Sequence, residues 1–194
     1  MTSTPPPGRP RDESVDRRVI DATMSLLADE GPSSLTIESI ALRAGVSKSS
    51  IYRRWSSKDE IIVAAIGTIA AQVTVAATGN LRADLVRALD GLRSLVSDSR
   101  AGELLPWLAA EMAKRSEIGL LYFRTVVGPR RAAIGQLVES ARSRGEVRTD
   151  IDTDTVVDLL TGPVIIRKMT GRLDAAPDDW STTIVDELLR GLTP

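Results

Sequence analysis

The side chains best suited to chemistry in this 194-residue chain are basic, hydroxylic and aromatic, and they crowd into one short stretch. Residues 43–58 hold five basic side chains, Arg43, Lys48, Arg53, Arg54 and Lys58, and no acidic one. Ser47, Ser49, Ser50 and Tyr52 stand among them. Lysine and arginine neutralise phosphate and reach guanine acceptors in the major groove. Serine hydroxyls bond phosphate oxygens, and a tyrosine offers a hydroxyl to phosphate and a ring to a thymine methyl. Such a mixture on a helix that follows a glycine turn is the pattern of a DNA-reading helix-turn-helix. Tyr52 has a second reading as a core aromatic, and Arg53 and Arg54 as a merely solvated face.

Other chemistry is narrowed by what is missing. The chain has no histidine and no cysteine. That removes Ser-His-Asp and Cys-His nucleophiles, disulfides, thiolate metal sites and most zinc sites. No glycine-rich phosphate loop is present, and neither a metal nor a cofactor is expected. Carboxylates alone remain, and Asp150, Asp152 and Asp154 are their nearest cluster; set just before an apolar helical run, they read as a polar loop and helix cap. The formal net charge is −1, split as +3 over residues 1–147 and −4 over residues 148–194. Contact with nucleic acid must therefore be local to a patch. A hydrophobic fraction of 42% is that of an ordinary globular chain. With no apolar signal core and no run approaching ~20 apolar residues, the expectation is a soluble, cytoplasmic protein.

The elements that must position these groups read as helices throughout. Residues 1–11 are proline-rich and polar, expected as a disordered arm, with Gly8-Arg9-Pro10-Arg11 either a minor-groove arm or a solvated tail. Over 12–30, Val15, Val19, Ala22, Leu26 and Leu27 recur at helical spacing, and Gly31-Pro32 stops the run. Thr36 is placed to cap a second helix with Ile37, Ile40 and Ala41 inward and Leu42 close by. Ala44-Gly45-Val46 makes the turn, and Ser47 caps a third helix whose inward residues are Val46, Ile51 and Trp55. Ser57-x-x-Glu60 is a capping box opening a fourth helix, expected to run to about Thr78 before Gly79-Asn80. Its middle is apolar on most faces, as for a helix that is buried or shared between two domains.

Beyond it no strand pattern appears. Leu81, Leu85, Leu89, Leu92 and Val96 form one stripe; a further helix follows over 102–115. A longer one covers 117–144, with Gly128-Pro129 expected to kink or break it. The last two helices, over 153–170 and 177–192, carry more apolar surface than covering their own core requires, a frequent mark of a subunit contact. The fold class expected is all-α, with about nine helices and no repeats.

The runs RRVIDATMSLLADEG and TIESIALRAGVSKSSIYRRWSSKDEII resemble the DNA-binding region of the tetracycline-repressor (TetR) family. The AGVS turn, the pair Tyr52 and Trp55, and Ser57-Lys58-Asp59-Glu60 all fall in step with it. Arg54-Trp55 stands where family members more often carry His or Arg followed by Phe. A weaker resemblance continues at RGEVRTDID (144–152) and LLTGPVIIRKMTG (159–171). The resemblance implies a DNA-binding domain over 12–58 and a helical ligand-binding and dimerisation domain over 59–194. It implies a homodimeric regulator, in most members a repressor released from a palindromic double-stranded DNA operator by a small-molecule effector. Carried over residue by residue, Thr36 and Lys58 would contact phosphate, while Ser47, Lys48, Ser49, Ser50, Tyr52 and Arg53 would lie along the groove. Trp55 is assigned to the core.

The effector side is less determined. Trp107, Met112, Tyr122 and Phe123 are the large adaptable or aromatic residues of the middle helices. With Leu104 and Leu108 they line either an apolar pocket or plain core, and Arg124 or Glu111 would supply a polar handle. An enzyme with an appended DNA-binding head finds no support in these residues. A helical protein-interaction regulator without an inducer is the other reading.

Overall fold

The computed structural model describes residues 13–97 and 100–193, so the arm expected over 1–11 lies outside the described residues. All regular structure among them is helical: α1 (Glu13–Glu30), α2 (Ile37–Ala44), α3 (Lys48–Tyr52), α4 (Lys58–Ala70), α5 (Leu81–Ser97), α6 (Arg100–Glu103), α7 (Leu105–Ala113), α8 (Glu117–Tyr122), α9 (Gly128–Ser143), α10 (Thr153–Met169) and α11 (Trp180–Leu192). A π-helical segment, Phe123–Val127, joins α8 to α9. The chain divides into two compact units, the first ending at Ala65 and the second beginning at Ile66. The division falls inside α4.

In the first unit α1 packs on α2 and α2 on α3. Val19, Leu26 and Leu27 of α1, Ile40 of α2, Ile51 of α3 and Ile61 and Ile62 of α4 are buried. The helix starts are set by local hydrogen bonds. Thr36 Oγ1 accepts from the Ser39 backbone N–H at 3.0 Å while Ser39 Oγ accepts from that of Thr36, closing a capping box. Gly45, at φ 63°, turns the chain left-handed, and the Val46 N–H reaches back to Ala41 O at 3.0 Å. That geometry costs a glycine little and satisfies the end of α2. Leu42 departs from expectation: it is 85% exposed. Two residues past Ile40 on a helix is a rotation of about 200°, which carries it to the opposite face.

In the second unit α5, α9, α10 and α11 enclose one core. The α5 stripe lies buried as expected, against Val138 and Ile134 of α9, Val157 and Leu160 of α10, and Trp180 and Val185 of α11. Among the described residues no helix is long and apolar enough to cross a membrane.

One expectation about a helix end is corrected. The fourth helix stops at Ala70, not near Thr78. Its last carbonyls are taken by a side chain sixty residues on: Arg130 Nη2 donates to Ala70 O at 3.0 Å and to Val73 O at 3.2 Å. The segment after it is tied instead to α5, where the buried Asp84 accepts from the Thr78 N–H at 2.9 Å and its hydroxyl at 2.7 Å. Gly128-Pro129, expected to kink or break the long helix, does fall at an interruption: α8 ends at Tyr122 and α9 begins at Gly128 after the π segment. The missing proline N–H and the bulk of its ring are absorbed by the wider π turn just before it, and Pro129 sits in the first turn of α9. The helix count rises above nine because the stretches at 100–113 and 117–143 are each subdivided.

Candidate nucleic-acid interface and effector cavity

Ser47 holds the start of α3. Its Oγ accepts from the Ser50 N–H at 3.2 Å and lies 2.9 Å from both Ser49 Oγ and Ser50 Oγ. Ile51 is fully buried, which pins the helix to the core by its inner side. Tyr52, next to it, is 57% exposed, so its ring belongs to the surface and not to the core. Ser47, Lys48, Ser49 and Arg53 are exposed as well, and Ser50 is half-buried. Trp55 is half-buried, beyond the end of α3. Thr36, exposed, caps α2, and Lys58, half-buried, begins α4. Glu60 closes that helix start, accepting from the Ser56 N–H at 2.7 Å while its own N–H donates to Ser57 Oγ at 3.2 Å.

The five cations of this stretch are not equivalent. Arg43 Nη1 turns back to α1, donating to Ser25 Oγ at 2.8 Å and Asp29 at 3.2 Å. Arg54 pairs with Asp16, also on α1, and donates to Ser50 O at 3.1 Å; its side chain is mostly buried and it braces the head, not a solvent face. Lys48 Nζ meets Glu38 of α2 at 2.7 Å. That contact is fully exposed; the lysine holds the Glu38 carboxyl below its ordinary range, and the carboxylate raises the lysine. Among the described residues neither Arg53 nor Lys58 forms an ion pair, and Arg53 Nη2 donates to Ser50 Oγ at 3.2 Å. Arg18 of α1 donates to Gly45 O at 3.4 Å. The surface offered to an anion is thus Tyr52, Arg53, Lys58 and the serines, with Lys48 released when something displaces Glu38.

The second unit contains a cavity of about 360 Å³ between α4, α5, α7, α9 and α10. Its walls are chiefly apolar, among them Ile66, Leu92, Leu105, Met112, Val126 and Ile165. The polar lining is sparse: Tyr122, Arg130, Arg131, Asp158 and Thr161. Arg131 is neutralised, bridging Asp154 at 3.1 Å and pairing also with Asp158. Burial raises the pKa of the Tyr122 hydroxyl, only partly offset by the Arg130 charge, so it stays protonated at neutral pH. Val126 lies within the π segment, Tyr122 before it and Arg130 after it, and all three line the cavity.

Of the effector residues named from the sequence, Met112 and Tyr122 line this cavity. Leu104 and Leu108 are buried without lining it, Trp107 is half-buried and Phe123 is exposed. Glu111 and Arg124 are not in the lining either; Glu111 pairs with Lys114. Arg130 was missed, and only a basic residue one position after the Gly128-Pro129 pair could have pointed to it. The Asp150, Asp152 and Asp154 cluster is spoken for: Asp150 pairs with Arg148, Asp154 with Arg131, and Asp152 caps α10, accepting from the Thr155 N–H at 2.9 Å.

The family model for bacterial regulatory proteins of the tetR family matches residues 19–65, and that for the tetracyclin repressor-like C-terminal domain matches residues 75–188. YdeS of Bacillus subtilis, an uncharacterized HTH-type transcriptional regulator, is 30% identical over 187 residues, which are 95% of this chain and 93% of YdeS. The DNA-binding transcriptional repressor TetR of Mycobacteroides abscessus is 28% identical over 182 residues, 92% of this chain and 94% of that protein. The crystal structure of the TetR family transcription regulator SCO0332 is similar at a TM-score of 0.71 and 29% identity, covering 93% of this chain and all of that one.

Proposed function

This chain belongs to the tetR family of helix-turn-helix transcriptional regulators, and from that premise we propose that it is a homodimeric repressor, released from a palindromic operator by a small molecule. The observation that carries the reading is the exposed face of α3. Ser47, Lys48, Ser49, Tyr52 and Arg53 point to solvent from a five-residue helix that is capped at one end and anchored by Ile51. Ser50 completes that groove face, and Thr36 and Lys58 flank it as phosphate contacts.

Dimerisation through α10 and α11 is supported by apolar surface that the core leaves uncovered on α10. Leu159, Ile166 and Met169 of α10 are 52%, 54% and 44% exposed. A two-fold pair of heads would place the two α3 helices roughly 34–36 Å apart, one helical turn of DNA. The effector is assigned to the cavity lined by Met112 and Tyr122, and the site of action to the cytoplasm, where the operator is.

Footprinting of purified protein on the DNA flanking its own gene tests the proposal. A symmetric protected site is expected, lost in the Tyr52→Ala/Arg53→Ala variant at unchanged helicity. Protection that survives both substitutions would remove α3 from the interface.

A further inference from the structure

We propose that the effector is an apolar organic anion whose acidic group is held by Arg130 in the wall of the cavity. The inference rests on reading that cavity as the effector site. Arg130 is fixed in place by its Nη2, which donates to Ala70 O and Val73 O. Its other terminal nitrogen, Nη1, is buried and has no hydrogen-bond partner. A guanidinium keeps its charge near neutral pH, and a buried cation without a partner is costly. Burial indeed lowers the Arg130 pKa, with Tyr122 countering it only in part.

The other charges of the lining cancel within the protein, since Arg131 is satisfied by Asp154 and Asp158. Arg130 forms no ion pair among the described residues. The cavity therefore presents apolar walls, an arginine with no ion pair and a buried, unpartnered Nη1, and a protonated tyrosine hydroxyl. A carboxylate or sulfonate on a compact apolar body matches all three. A charge-assisted bond from the Arg130 guanidinium is of the stronger kind, and the hydroxyl of Tyr122 supplies a second donor. A volume of about 360 Å³ is at the small end for ligand sites, which favours a compact acid over a long-chain one.

Two fluorescent probes of one skeleton separate the charge from the shape: 1-anilinonaphthalene-8-sulfonate and neutral N-phenyl-1-naphthylamine. Titrated into the full-length protein, the sulfonate should bind at least tenfold more tightly than the neutral probe. Arg130→Met should remove that advantage while leaving the neutral probe within about twofold. Equal binding of both probes to the wild type would overturn the anionic anchor and leave the cavity as effector site. Binding of neither probe would overturn the reading of the cavity itself, and the anchor with it. Because Arg130 also ends α4, its variant can lose fold, so a second measurement uses the wild type alone. 1-Naphthoate should displace the neutral probe at no more than a tenth of the concentration that 1-naphthalenemethanol needs; equal potency would overturn the proposal.

Discussion

Lys48 and Glu38 show how a reading head can hold a cation ready without leaving it bare. Their contact at 2.7 Å is exposed on both sides, and such pairs contribute little to stability because water competes for each partner. The same exposure lets a phosphate replace the carboxylate at small cost. Glu38→Gln should therefore strengthen binding to duplex DNA roughly two- to fivefold at low salt, while Lys48→Ala should make the salt dependence shallower by about 0.9 per head, one counterion fewer released. Fluorescence anisotropy over a salt series checks both numbers, and an unchanged slope would mean Lys48 makes no phosphate contact. The pH sign follows from the same pair. Lys48 lowers the Glu38 carboxyl, so its stabilising share is present above the ordinary carboxylate range and is lost as pH falls through the lowered value. Nothing in the sequence separates Lys48 from Arg43 or Arg54, which have partners of a different kind. Asp16, Asp29 and Glu38 are distant along the chain, and only folding decides which cation each one takes.

Helix registers and starts were legible in the chain because they depend on neighbours within a turn. The α5 stripe, the caps at Thr36 and Ser47 and the left-handed Gly45 all follow from local spacing. The end of α4 was not legible, since Ala70 O and Val73 O are taken by Arg130 from another helix. The cavity wall shares that limit. It is assembled from α5, α9 and α10 as well as the middle helices, so a search for large residues in one segment finds Met112 and Tyr122 and misses Arg130. A further contact of this type is the corner between α7 and α8. Arg115 adopts φ 55° there, and Ser116 caps α8, accepting from the Gly119 N–H at 3.2 Å. A Cβ at Gly119 would lie 2.4 Å from Glu111 O and 2.7 Å from Met112 N. Both obstacles are backbone, which cannot rotate away. Gly119→Ala should destabilise the protein by about 1–3 kcal/mol. Calorimetry would register a fall in Tm of roughly 2–10 °C. A melting temperature equal to that of the wild type would show that α7 and α8 do not approach so closely.

At the scale of the whole molecule, the formal charge of −1 leaves no general attraction for DNA, so occupancy has to come from local contacts made more than once. One short α3 carries too few of them for tight binding. Two heads on a common dimer bind the second half-site at an effective concentration in the millimolar range, which raises affinity by roughly 10²–10⁴ with no new contact. The apolar stripe Leu159, Ile166 and Met169 is where such a dimer would close, with a buried counterpart along α10 in Val156, Leu160 and Val164 already committed to the core. A charge on that stripe would have to be desolvated in the dimer but stays hydrated in the monomer, so it acts on assembly and leaves the fold intact. Leu159→Glu/Ile166→Glu should therefore sediment as a monomer at micromolar concentration, with helicity and melting temperature near those of the wild type. Its affinity for an operator duplex should fall by at least 100-fold. Binding of N-phenyl-1-naphthylamine should persist, because the cavity is built within one chain. A variant that stayed dimeric would move the interface away from α10, and a monomer that kept full operator affinity would show that one head suffices.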